Sequence, residues 1–148
     1  MSAHVVVHGD DYTVEGSWDP NDEWDRPDTE FSYSGVDVYA STESDEAKLS
    51  SFYSDLFNVD VKPGDEVFVV LCKYSTGDTF GNDGGRIIVM DVLTDSDKAD
   101  RLVEQLSAVN VRDYSYSATI EGKNYYLPWS GYFEYLEDLF VERAIVRS

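Results

Sequence analysis

The stretch Glu66-Val-Phe-Val-Val-Leu-Cys-Lys-Tyr74 decides the fold. It is apolar on both faces through its middle, the mark of a strand covered on both sides and therefore central in its sheet. Lys62-Pro-Gly-Asp65 before it is turn chemistry. Arg86 to Leu93 reads as its neighbouring strand. Outward from this pair, Ser96 to Ser107 reads as a helix capped by Asp95 or Thr94, with Ala99, Leu102, Val103 and Leu106 as its buried stripe. Tyr114 to Ile120 and Lys123 to Leu127 form a hairpin about Glu121-Gly122, and Phe140 to Val146 is a last strand.

Toward the N-terminus the pattern predicts a strand from His4 to His8, a turn at Gly9-Asp10-Asp11, and an antiparallel partner from Tyr12 to Trp18. Asp19 to Ser34 reads as a loop broken by Pro20 and Pro27. Val36, Val38 and Ala40 alternate as in a half-buried strand. Leu49, Phe52, Tyr53, Leu56 and Phe57 then fall on one helical stripe, which predicts a first helix from about Thr42 to Phe57. Glu43, Asp45 and Glu46 suit the positive end of its dipole. The expected fold is one α+β domain over residues 1–148, a mostly antiparallel sheet with two helices packed on one face.

Charge is the strongest compositional signal. The formal net charge is −19, from 30 acidic and 11 basic residues. From Asp10 to Glu46 there are thirteen acids against Arg26 alone, a stretch that holds −12 of that total. Such a field repels nucleic acid and anionic lipid and attracts basic protein surfaces. No basic patch with interleaved aromatics is present, so direct nucleic-acid binding is not expected. Nor is there a run of about 18 apolar residues of the kind that spans a membrane. Met1 to His8 lacks the basic and apolar regions of a secretion signal, so a cytoplasmic protein is expected. Hydrophobic residues are 42% of the chain, enough for a folded core despite the charge.

Little points to catalysis, and a non-enzymatic protein is expected. Cys72 is the only cysteine and sits in the apolar strand, which suits a buried, inert thiol. His4 and His8 share a strand face but lack a clear third ligand. Asp19, Asn21, Glu23, Asp25 and Glu30 match calcium-loop spacing, yet the sixth position, normally Gly, is Trp24, and Pro27 interrupts the loop. No cofactor and no metal are expected. Tyr74-Ser-Thr-Gly-Asp-Thr-Phe-Gly-Asn-Asp-Gly-Gly85 joins two strands, and its glycines permit close backbone approach to a ligand. It lacks the Lys and following helix of a phosphate loop, and Asp78 and Asp83 would repel phosphate. A decorated hairpin turn is the plainer reading. As a ligand loop it would comprise Tyr74, Ser75, Thr76, Gly77, Asp78 and Phe80, working against Trp129 and Tyr132.

Three stretches carry a resemblance: Asp22-Glu-Trp-Asp-Arg-Pro-Asp-Thr29, Tyr74-Ser-Thr-Gly-Asp-Thr-Phe-Gly81 and Leu127-Pro-Trp-Ser-Gly-Tyr-Phe-Glu-Tyr-Leu-Glu137. Together they resemble a group of small, uncharacterised accessory proteins of tailed bacteriophages. The resemblance implies a phage-encoded protein acting in the host cytoplasm, and it supplies no catalytic residue. The leading expectation is an acidic protein-binding module, a phage inhibitor of a host defence or nucleic-acid-binding protein. Its partner would present a basic surface, and DNA mimicry is the sharper form. The expected acidic surface is Asp19, Asp22, Glu23, Asp25, Asp28 and Glu30. Two alternatives stand beside it: a small-ligand or nucleotide binder using residues 75–85, and a salt-adapted protein whose acidity implies no partner. The uneven placement of charge argues against the latter.

Overall fold

A computed structural model describes residues 2–14, 21, 28–41, 53–78, 81–109, 117–130 and 134–148. The elements are β1 (Ser2–Thr13), β2 (Thr29–Ser41), β3 (Tyr53–Phe57), β4 (Glu66–Asp78), β5 (Gly81–Leu93), α1 (Ser96–Ser107), β6 (Ser117–Ile120), β7 (Lys123–Tyr126) and β8 (Glu134–Ile145), with a 3-10 turn at Pro128–Ser130. One sheet runs in the order β3-β1-β2-β5-β4-β8, and β6-β7 is a separate hairpin. The chain is mostly antiparallel β-structure with one α-helix among the described residues, so the expected α+β fold with two helices on one face is corrected.

The apolar stretch that begins at Glu66 does form a central strand: β4 pairs antiparallel with β5 on one side and β8 on the other. The N-terminal third differs most from expectation. No turn occurs at Gly9-Asp10-Asp11; β1 runs straight through, and its partner is β2 rather than residues 12–18. Residues 29–34, expected in a loop, are the first half of β2. Tyr53 to Phe57, expected as the end of a helix, pair with β1 as β3. The rest of that expected helix lies outside the described residues. Its apolar stripe satisfies helical spacing, but Tyr53–Phe57 sits against an open strand edge, and pairing there overrides local periodicity.

Two apolar layers result. Backbone bonds tie β2 to β5 at Thr29 and Glu30, and to the segment after β8 at Val38 and Ala40 through Arg147. Since β4 lies between β5 and β8, β2 crosses its face. Ala3, Val5, Val7, Phe31 and Val38 are thereby packed on Val67, Val69, Leu71, Ile87 and Val89. The opposite face of β4 and β5, with Val70, Cys72 and Met90, is covered by Ala99, Leu102 and Leu106 of α1 and by Tyr125, Leu127 and Trp129. Asp95 caps α1, its carboxylate accepting from the backbone N–H of Asp97 at 2.8 Å.

Two bulges set which side chains face which layer. In β2 the register slips between His8↔Gly35 and Gly9↔Tyr33, so Ser34 is the extra residue. Phe31 and Tyr33 before it, and Val36, Val38 and Ala40 after it, therefore all belong to the same core. In β5 the register passes from Leu71↔Val89 to Val70↔Asp91, leaving Met90 as the extra residue.

Candidate functional site

Of the expected acidic surface, Asp28 and Glu30 lie among the described residues; Asp19, Asp22, Glu23 and Asp25 lie outside them. Glu30 is exposed and faces Tyr12 across the β1–β2 ladder. The Tyr12 hydroxyl donates to a Glu30 carboxylate oxygen, and that bond raises the phenol's pKa. Asp10 and Asp11, exposed on the same ribbon, pair with Ser32 and Phe31. The backbone N–H of Val14 bonds to the Asp28 carbonyl at 2.8 Å, extending the ribbon by one step. Beyond Gly9, then, a two-stranded ribbon brings Asp10, Asp11, Asp28 and Glu30 together, and residues 9–14 and 28–34 contain no Lys or Arg. Sequence reading placed Asp10 and Asp11 in a turn and missed them as part of this surface.

The glycine-rich stretch forms a hairpin, the plainer of its two readings. Strands β4 and β5 continue through it, with Thr76↔Asp83, Gly77↔Asn82 and Asp78↔Gly81 paired. Ser75 is buried, and Tyr74 packs against the α1-side core. Trp129 is buried in that same core with Cys72 and Leu139, where its indole serves packing. Phe80 and Tyr132 lie outside the described residues. Ladder pairing gives Thr76, Gly77 and Asp78 backbone partners in β5.

His4 and His8 do share a strand face, but they meet different fates. His4 is fully buried, and among the described residues neither ring nitrogen has a hydrogen-bond partner. His8 is exposed, its Nε2 lying 2.7 Å from an Asp37 carboxylate oxygen; Arg147 approaches the other oxygen at 3.2 Å. Among the described residues, no group of three His, Cys, Asp or Glu side chains is placed to hold a metal ion. Also among these residues, no helix is long and apolar enough to cross a membrane.

One polar cluster escaped sequence reading. Asp91 interrupts the apolar run from Ile87 to Leu93, and its side chain is only 4% exposed. Ile87, Val89 and Val92 belong to the inner core, so strict alternation would aim Asp91 there as well. The bulge at Met90 turns it to the α1 side. There it accepts from the Lys123 ammonium at 2.8 Å, the Tyr125 hydroxyl at 2.6 Å and the Val92 N–H at 2.8 Å. Burial and the bond to Asp91 raise the Tyr125 phenol above its ordinary pKa. The available signal was an acid inside a strand apolar on both sides, which requires a buried partner.

Comparison of the chain with protein-family models, with curated proteins and with solved structures finds no match.

Proposed function

We propose that this chain is an acidic, non-enzymatic module that binds a protein with a basic surface, docking by the β1–β2 ribbon. The observation behind this reading is the ribbon itself. Asp10, Asp11 and Glu30 are exposed on paired strands, and residues 9–14 and 28–34 include no basic side chain. A carboxylate on a hydrogen-bonded strand is held in place before a partner arrives, so less conformational entropy is lost on docking. The surrounding charge of −19 speeds encounter with a cationic surface. The phage resemblance makes a bacterial host protein the natural partner, and one that itself binds nucleic acid would carry such a surface. Alternate residues of a strand are spaced by about 6.7 Å, close to the repeat of a nucleic-acid backbone, which is the geometric basis of the DNA-mimic form.

The test is capture from bacterial lysate by the wild-type chain and by a variant carrying D10N, D11N and E30Q. A bound protein should be released as salt rises, because exposed charges are screened within about 8 Å at physiological ionic strength. It should also be lost from the triple variant. A complex indifferent to both salt and the three substitutions overturns the reading. Competition with duplex DNA for the captured partner separates DNA mimicry from acidic docking in general.

A further inference from the structure

The Asp91 cluster forms the wall of a cleft that the ribbon does not touch. Its cavity is about 280 Å³, close to the lower end of small-molecule sites. Four parts of the chain meet there: the end of β5, the flank of α1 that carries Lys98, Leu102 and Gln105, the β6–β7 hairpin, and the end of β3 with the segment following it. Phe57, Val59, Leu93, Leu102 and Ile120 give it an apolar lining. Asn58, Lys98 and Gln105 add polar groups. A second recess of about 770 Å³ shares Phe57, Asn58, Lys123 and Tyr125 with the first, so those residues separate two lobes.

The charges of the first lobe are unequally satisfied. Asp91 has three donors, as described above. Glu121 lies 3.5 Å from Arg101. Lys123 is committed to Asp91. The ammonium of Lys98 pairs with no carboxylate among the described residues, although acids outnumber bases by 30 to 11 in this chain. A cleft of mixed lining, with one cation at its rim that is unpaired among the described residues, suits a ligand with an apolar body and a single negative charge. A dianion or a polyphosphate would meet at least twice the repulsion that the net charge of the chain exerts on a monoanion.

We infer that this cleft binds a small amphipathic monocarboxylate, its apolar body on Phe57, Leu102 and Ile120 and its carboxylate at Lys98. The salt-bridged Lys123 and Tyr125 hold the wall rather than the ligand, so Asp91 acts as a positioning residue for the hairpin.

The probe is phenylacetate, titrated into the full-length protein and followed by amide chemical shifts. Phenylacetamide serves as the neutral match and phenethylamine as the cationic one. Phenylacetate should move resonances of residues 57–59, 98–105 and 120–125 while leaving those of the β1–β2 ribbon unmoved. An exposed ion pair contributes at most about 1 kcal/mol, so the amide should bind up to about fivefold more weakly. In the K98M variant, which alters an exposed side chain, this preference should vanish with the fold retained; K62M should keep it. No shifts at millimolar phenylacetate, equal binding of acid and amide, or tighter binding of the amine would each overturn the inference. Since the ribbon contributes no residue to the cleft, failure here is distinct from failure of the protein-docking reading.

Discussion

At the scale of single residues, three positions carry more of the fold's constraint than their sequence context shows. A Cβ built on Gly9 would lie 2.3 Å from the Phe31 ring and 2.3 Å from the backbone carbonyl oxygen of Ser32. The ring could rotate, but the carbonyl belongs to the ladder. Gly9→Ala should therefore cost about 3 kcal/mol or more, at the upper end of overpacking, read as a lower urea midpoint. His4 presents the opposite case. Its ring is fully buried with both nitrogens unpartnered among the described residues, so the site bears a desolvation cost with no hydrogen bond from them in return. His4→Leu, of similar size and without polar atoms, should raise stability by about 1 kcal/mol in the same measurement; a loss of stability would show that the imidazole is satisfied. Burial, aided by nearby Asp138, pushes the Cys72 thiol up from 9.0 to about 12. The sign follows from the protonated form being favoured when folded. Stability is intact below pH 9, where both states hold the proton, and falls as the pH rises toward 12 because the unfolded thiol ionises first. Cys72→Ala should lose some packing at pH 7 yet show a flatter stability profile between pH 9 and 12. Native Cys72 should also resist thiol reagents, since the reactive thiolate is scarce and the sulfur fully buried.

At the scale of elements, the β6–β7 hairpin is joined to the rest of the molecule by the apolar packing of Ala118, Ile120 and Tyr125 and by the bonds of Lys123 and Tyr125 to Asp91. Its turn has φ of 50° at Glu121 and 82° at Gly122, the left-handed pair that a tight two-residue hairpin requires. A hairpin of two four-residue strands is not stable alone, so docking must hold it. Tyr125→Phe removes one of the three donors to a buried carboxylate and should cost about 1–3 kcal/mol. Lys123→Met removes its charge partner. The Lys123 side chain is 56% exposed, so the loss should be nearer about 2 kcal/mol than the roughly 3–5 kcal/mol of a fully buried pair. Hydrogen exchange is the discriminating readout: both variants should speed exchange in β6 and β7 before β4. Uniform acceleration across the sheet would mean that the hairpin is not a separable unit.

At the scale of the whole molecule, charge acts on stability and on binding with opposite signs. A net charge of −19 repels itself in the compact state, so added salt should raise the melting temperature of the free chain. The same salt should weaken a complex made through the β1–β2 ribbon. A chain that melts at the same temperature in low and high salt would show that its acids are already compensated locally. The crossing of β2 over β4 gives this molecule its second constraint. It buries Val5, Val7 and Val38 against β4 on one side, while beyond Gly9 the ribbon is tied to β5 at Thr29 and Glu30 and keeps Asp10, Asp11 and Glu30 exposed. Removing the Arg147 backbone bonds to Val38 and Ala40 would loosen one of the two ends by which β2 is held.

By itself the sequence determined what local chemistry can specify. The unbroken apolar stretch at 67–72 had to be a central strand, because each face needed cover. A cap at Asp95 or Thr94 was legible, with Asp95 filling it in the structure, and Glu121-Gly122 had to turn the hairpin, because few residues meet those backbone demands. The acidic excess was legible as composition, and so was its attraction to cationic partners. Tertiary structure alone decided the rest. Tyr53–Phe57 satisfies helical spacing but pairs with an open strand edge. Gly9-Asp10-Asp11 has turn chemistry but continues a strand, because β2 offers a full ladder and only glycine clears Phe31. Asp91, Lys123 and Tyr125 are 32 and 34 residues apart along the chain, counted from Asp91. Their meeting depends on a one-residue bulge at Met90, which turns a side chain from one core to the other and leaves almost no trace in hydrophobic periodicity.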